Sequence, residues 1–311
     1  MTSSLSLKKL NKCICCDTDV SNSKYLFKKG NASYFICNNC NVVFQNPQPV
    51  YELTEEIYDG EHYHERYIKS EYIYLPTSRI YLKDINKEFK RIGYYKKNLR
   101  LMDVGCGIGY FLDLAKKDDY LVQGSDISKW AGIYAKEKFN IDVITGNFLE
   151  FDFGKNIYDV VTLWQTIEHL PDPNSFLKKI YEILKPGGFI CIATPDTASW
   201  IARFYKKYWN CYMPDEHICL FNNKSMTFIL KKNGFSPVTV KRIHEREFLF
   251  EQIEFIKLFT IRVIKNIVLR TKIFKPLFPN KMIKKWEMQT DLEIPLPSIA
   301  YSVFAIGKKP N

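Results

Sequence analysis

The chain has 311 residues, 46% of them hydrophobic, which suits one full-sized globular domain with a small appendage. Its net charge of +11 resides mainly in one segment, since nine Lys or Arg and no acid lie between Lys257 and Lys285, and without those nine the net is +2; the charge therefore says little about the protein as a whole. No run approaches the ~18 uninterrupted apolar residues of a membrane span, and the opening MTSSLSLKKLNK lacks the apolar centre of a secretory leader.

In chain order, residues 1–12 read as a flexible N-terminus, and the first patterned element follows. Cys13 and Cys16, then Cys37 and Cys40, make two C-x-x-C knuckles separated by twenty residues. Each knuckle places two thiolates on one turn, and two knuckles complete a tetrahedral sulfur site for zinc. Four protein ligands leave no open position for water, so the expected ion is structural. Residues 24–27, 33–36 and 42–44 alternate as the short strands of a zinc ribbon over 13–49, too small to fold without its metal. Cys15 is left over, and Cys106, Cys191, Cys211 and Cys219 show no ligand spacing. Nine cysteines with four in a metal pattern point to a reducing, cytoplasmic setting and not to a disulfide framework.

A Tyr-rich, acidic stretch comes next, with Pro76-Thr-Ser78 predicting the opening of a helix to about Arg91. His62 and His64 read as exposed side chains, without a metal role. From Leu99 to Val104 an apolar run predicts a buried strand, the glycines at 105, 107 and 109 a tight turn, and Phe111 to Lys117 a helix. Such a strand–turn–helix brings bare backbone and helix N–H groups to a ligand. The pattern is D-x-G-x-G-x-G, and a dinucleotide fingerprint would need glycine at Tyr110. It resembles motif I of class I S-adenosylmethionine (SAM) methyltransferases.

The following segments extend the likeness. Tyr120 to Asp126 predicts a second strand ending in an acid, placed to hold two ribose hydroxyls, with Ile127 beside the adenine. A third strand, Ile141 to Thr145, leads to Gly146-Asn147-Phe148, where the family usually carries Asp in place of Asn147. Asn also has an accepting carbonyl. Strand four begins at Tyr158 and leads to EHLPDP; a helix then ends in LKPGG at Leu184–Gly188, and strand five spans Phe189 to Ala193. The resemblance implies an α/β fold, a doubly wound, seven-stranded Rossmann-like sheet with an antiparallel last strand at Ser298 to Ile306. It implies SAM contacts from Asp103, Gly105, Gly107, Gly109, Asp126, Ile127, Asn147, Phe148 and Gln165, and a lid from residues 50–97 over the cofactor.

On the acceptor side, His169 follows strand four at the open end of the sheet, and His217 stands in the loop-rich region after strand five. Either serves as general base if the acceptor is a hydroxyl, and either also has a plain structural reading. Together with Thr194 to Ser199, Trp209, Phe221 and Lys231 to Phe235, these strings resemble prokaryotic methyltransferases with an N-terminal zinc ribbon, often tied to surface-polysaccharide, sugar or natural-product pathways. That likeness implies O- or C-methylation of a small or sugar-containing acceptor. A ribosomal-RNA methyltransferase with a zinc finger and a non-catalytic SAM-binding scaffold are the alternatives. The ribbon has only three lysines against Asp17 and Asp19, which argues against nucleic acid. The core is expected over 98–244, a basic helical insertion over 245–297 and the last strand and tail over 298–311. The insertion reads as a lid, and its segment 255–285 also permits peripheral contact with the anionic inner face of a membrane.

Overall fold

The computed structural model describes residues 7–49, 64, 71–94, 97–214, 216–244, 279–283 and 301–311. Its N-terminal strands are β1 (Leu7–Lys8), β2 (Ser23–Lys29), β3 (Ala32–Cys37), β4 (Val43–Gln45) and β5 (Gln48–Pro49). β2 and β3 form a hairpin, β4 lies antiparallel on the far side of β3, and β1 pairs with β5.

The long helix α1 (Glu71–Arg91) starts five residues before the expected Pro76, which sits inside it. A proline in the second turn removes one backbone donor without ending the helix. Tyr81, Ile85 and Phe89 recur every four residues and are buried together with Leu101, Phe189 and Phe304 of the sheet, so burial of one face sets where this helix lies.

The α/β core then runs β6 (Arg100–Val104), α2 (Tyr110–Lys117), β7 (Leu121–Asp126), α3 (Lys129–Phe139), β8 (Val143–Thr145), β9 (Tyr158–Trp164), α4 (Pro173–Ile183), β10 (Leu184–Pro195), α5 (Trp200–Tyr205), β11 (Cys219–Leu220), α6 (Asn223–Lys232), β12 (Ser236–His244) and β13 (Tyr301–Lys308). Seven of these strands form one sheet in the order β12-β13-β10-β9-β6-β7-β8. β10, β9, β6, β7 and β8 are parallel, and β13 returns antiparallel against β10. This is the doubly wound sheet with an antiparallel last strand that the sequence predicts. Strand order reverses between β6 and β9, the position where such sheets open a crevice for ligands.

Side chains divide the sheet as strand periodicity requires. Met102, Val104, Val161, Leu163, Ile190 and Ile192 belong to one buried cluster, and Leu101, Val160, Cys191, Ala193, Phe304 and Ile306 to another. Helix ends are capped: Asp172 accepts from Ser175 N–H at 3.1 Å with Pro173 opening α4, and Asn222 and Ser225 form a reciprocal capping box on α6. The LKPGG string marks the end of α4 as expected, Leu184 capping it with its N–H on Ile180 O, but adds no helical residue. It starts β10, with Leu184 opposite Tyr158 and a register slip before Phe189; Pro186 and Gly187, the latter at φ +76°, suit that slip and not a helix.

The two-residue strand β11 does not join this sheet. It pairs antiparallel with β4, as Cys219 opposite Phe44 and Leu220 opposite Val43, giving the N-terminal sheet the order β11-β4-β3-β2. Val42, Phe44, Cys13, Cys37 and Cys40 share a buried cluster with Phe221, Met226 and the sheet face carrying Val161 and Leu163, and the half-buried Cys16 packs against it. Complete burial of a side chain such as Phe44 contributes about 1.5–3 kcal/mol, so the N-terminal sheet is held by apolar contact as well as by strand pairing.

Residues 1–243 and 301–311 form one compact unit and His244–Ala300 a second. The expected insertion over 245–297 falls in the second unit and, apart from 279–283, lies outside the described residues, as does the Tyr-rich stretch from 50 to 70 apart from His64. Among the described residues no helix is long and apolar enough to cross a membrane.

Candidate functional site

The turn between β6 and α2 holds Gly105, Gly107 and Gly109 at φ +73°, +51° and +86°. L side chains rarely adopt such values. A Cβ on Gly105 would also meet Thr166 Oγ1 at 2.5 Å, so the loop after β9 lies directly against the turn. Gly109 caps α2 without a side-chain hydrogen bond, and the helix N-terminus faces the crevice at the switch point.

Two carboxylates frame the turn. Asp126, the last residue of β7, accepts from Gly107 N–H at 2.7 Å through Oδ2 and from Ser128 N–H at 3.0 Å through Oδ1. Asp103, on β6, accepts from Thr162 Oγ1 at 2.6 Å across the β6–β9 pair. Burial pushes the Asp103 carboxyl up to about 8; the hydrogen bond from Thr162 opposes this and the Asp126 charge adds to it.

Of the other residues expected at the cofactor, Ile127 is half-buried immediately after β7. Asn147 accepts from Leu149 N–H at 3.1 Å and donates to Glu150 at 3.0 Å, as the cap of a short turn. The ring of Phe148 stacks on Phe176 and lies 5.0 Å from Phe153, centroid to centroid, within the core. Gln165, at φ +51°, donates to Tyr81 Oη at 2.9 Å and to Ser302 Oγ at 3.1 Å.

His169 and His217 come together. Their ring centroids are 4.7 Å apart, edge to face, and their ligand atoms and those of Glu168 all lie within 4.8 Å of one another. His169 Nδ1 is 2.9 Å from Glu216 O, and His217 Nδ1 is 2.8 Å from Cys211 O. A carbonyl only accepts, so in each neutral ring Nδ1 carries the proton and Nε2 the lone pair. Glu168 is fully buried; its Oε2 accepts from Thr194 Oγ1 at 2.9 Å and its backbone carbonyl from Ile218 N–H at 3.0 Å. Backbone carbonyls of one loop, at Cys211 and Glu216, thus set the tautomer of both rings.

The four knuckle cysteines also converge, with Cys13 Sγ 3.6 Å from Cys40 Sγ and Cys16 Sγ 3.5 Å from Cys37 Sγ. Sulfurs on a tetrahedral zinc with bonds of about 2.3 Å sit roughly 3.8 Å apart, so the donor set and its spacing fit that ion. Contact with Cys40 and burial both push the Cys13 thiol up, the crowding that a bound cation would relieve. Cys15 is buried beside them and Cys191 and Cys219 are buried in strands.

Sequence reasoning missed the groups tying the N-terminal sheet to the His217 loop. Gln45 Nε2 donates to His217 O at 2.9 Å and to Tyr34 Oη at 3.2 Å, and Lys29 Nζ donates to Tyr212 O at 2.7 Å and Trp209 O at 3.2 Å. The only available signal was a polar residue ending the apolar run Val42–Phe44, and that pattern names no partner.

Residues 77–240 match the family model described as a methyltransferase domain. Relatives include the chloroplastic 2-methyl-6-phytyl-1,4-hydroquinone methyltransferase 2 of Oryza sativa subsp. japonica, 29% identical over 155 residues, covering 48% of this chain and 42% of the relative. Another is the demethylmenaquinone methyltransferase of Listeria welshimeri, 29% identical over 140 residues, covering 41% of this chain and 59% of the relative. The chain thus spans about half the length of the curated relatives it matches. Among solved structures, Haemonchus contortus phosphoethanolamine N-methyltransferase 2 in complex with phosphomonomethylethanolamine and S-adenosylhomocysteine superposes with a TM-score of 0.51 at 20% identity, covering 92% of this chain and 71% of that one; this likeness is one of fold.

Proposed function

This chain belongs to the methyltransferase-domain family, and from that premise we propose that it transfers the methyl group of SAM to a small-molecule or sugar-containing acceptor. The observation that carries the reading is Asp126, a carboxylate at the tip of β7 bonded to the glycine turn by Gly107 N–H. A ribose diol held there leaves the methionine half beside Gly105 and Asp103 at the switch point. Bound SAM supplies an electrophilic methyl on a sulfonium.

The chain's own residues then have three tasks. The turn glycines admit the ligand against bare backbone, which side chains would obstruct. Asp103, poised to ionise, favours a cationic group in its buried niche. His169 and His217 present Nε2 lone pairs to the acceptor, and one of them removes its proton as the new bond forms. Asn147, Ile127, Phe148 and Gln165 complete the cofactor pocket in this reading, Phe148 through its backbone because its ring is turned into the core.

The thiolates of Cys13, Cys16, Cys37 and Cys40 hold a structural zinc, making residues 13–49 a zinc ribbon. The ribbon's few lysines, and relatives named for quinones, support a small acceptor over ribosomal RNA. A pathway in surface-polysaccharide or natural-product chemistry is the finer expectation, in a cytoplasmic protein whose segment 255–285 makes peripheral contact with anionic lipid. Extracts supplied with the protein and SAM bearing a trideuterated methyl test the assignment. A new low-mass product heavier by the labelled methyl is expected, and label appearing only in RNA would overturn it.

A further inference from the structure

We propose that the ribbon is part of the acceptor-side machinery, with Gln45 as the positioning residue that sets the His217 imidazole. The inference rests on the reading of His217 as an acceptor-side base. Strand β4 carries Gln45 next to Phe44, the residue that pairs with Cys219 of β11. From that one position two successive carbonyls of the histidine segment are captured: Gln45 Nε2 donates to His217 O at 2.9 Å, and Gln45 N–H donates to Ile218 O at 3.0 Å. The same amide lies 3.4 Å from Met213 O, and His217 N–H in turn donates to Met213 O at 3.0 Å.

Gln45 is only 1% exposed, so no water stands in for it if its side chain is lost. Lys29 from β2 extends the clamp to the other end of the loop, at Trp209 O and Tyr212 O. Between the two carbonyls that Lys29 holds lies Cys211, whose own carbonyl accepts from His217 Nδ1 and so selects the ring's tautomer. Both ends of the segment bearing the ring and its tautomer-setting carbonyl are therefore fixed by ribbon side chains, and none of these contacts touches the glycine turn or Asp126. A ribbon that merely folded beside the core would need none of them.

The test reads the ring itself, so it needs no known acceptor. Full-length protein labelled with 15N-histidine is examined by long-range 1H–15N correlation, the His217 signals being assigned by their loss in His217→Gln. The native ring should show one tautomer, protonated at Nδ1. Gln45→Leu should keep its zinc and its SAM affinity within about twofold yet show averaged tautomers at His217. A folded, zinc-loaded Gln45→Leu protein with unchanged His217 signals overturns the proposal, even if it melts earlier. Should Gln45→Leu fail to fold, Lys29→Met on the partly exposed β2 decides in the same way. If either variant moves the signals while His217→Gln leaves turnover intact, the base assignment falls and the positioning role stands.

Discussion

His169 and His217, 48 positions apart in the chain, meet edge to face with ring centroids at 4.7 Å, each with Nδ1 turned to a backbone carbonyl of the 211–216 loop. In each neutral ring the proton is therefore on Nδ1 and the lone pair on Nε2. For a hydroxyl acceptor, replacing the working base by Gln is expected to lower turnover ~10²–10⁴-fold with SAM affinity nearly intact. Single-turnover rates and calorimetry on His169→Gln and His217→Gln check this. Loss of rate in step with loss of thermal stability would mark a purely structural histidine.

Asp126→Ala removes the carboxylate expected to hold the ribose diol, together with its bond to Gly107 N–H. SAM binding should weaken ten-fold or more, roughly 1.4–3 kcal/mol for charge-assisted bonds. Titration calorimetry of both proteins measures it, and equal affinities would displace the cofactor from the tip of β7.

Purified protein should carry about one zinc per chain, held by the two knuckles. Elemental analysis should find the metal lost in the Cys37→Ser, Cys40→Ser double variant and kept in Cys15→Ser. Full occupancy of the double variant would remove the ribbon assignment.

Glu88 ties α1 to β12. Burial disfavours its charge, but Arg91, Thr239 and Lys241 outweigh that and hold its carboxyl at about 2, below the ordinary 4.5. A depressed carboxylate stabilises the fold fully above its unfolded value, and the contribution is lost as pH falls through the folded one. Glu88→Gln should thus cost about 1–3 kcal/mol near neutrality. Denaturant melts from pH 7 downward should show the gap shrinking below pH 4.5 and closing near pH 2. A gap that does not change with pH would mean the carboxylate's charge is not what holds the helix.

The sheet was readable because most of its strands are apolar, locally encoded segments, and β6, β7, β8 and β10 run out at or just before Gly, Asp or Pro. Val160 and Val161, for instance, point to opposite buried faces, as a doubly covered strand requires. The glycine turn was readable for the same reason, since its backbone needs write themselves into residue type. Boundaries failed where tertiary contact overrides local signal: α1 runs through Pro76 because Tyr81, Ile85 and Phe89 anchor it, and LKPGG joins a strand because Leu184 has Tyr158 to pair with. The meeting of His169 with His217, and of Gln45 with both neighbours of the 217–218 peptide bond, depends on long-range pairing that no local spacing encodes.

The pairing of β4 with β11 has a consequence for synthesis on the ribosome. The knuckles at 13–16 and 37–40 are made well before residues 218–220, which close the outer edge of β4 among the described residues. For the time needed to make some 175 further residues, about 9–35 s at ~5–20 residues per second, that edge is an open template for stray strand addition. Its shortness, three residues ending in the polar Gln45 just before Pro47, limits what can dock there while the rest of the chain is made.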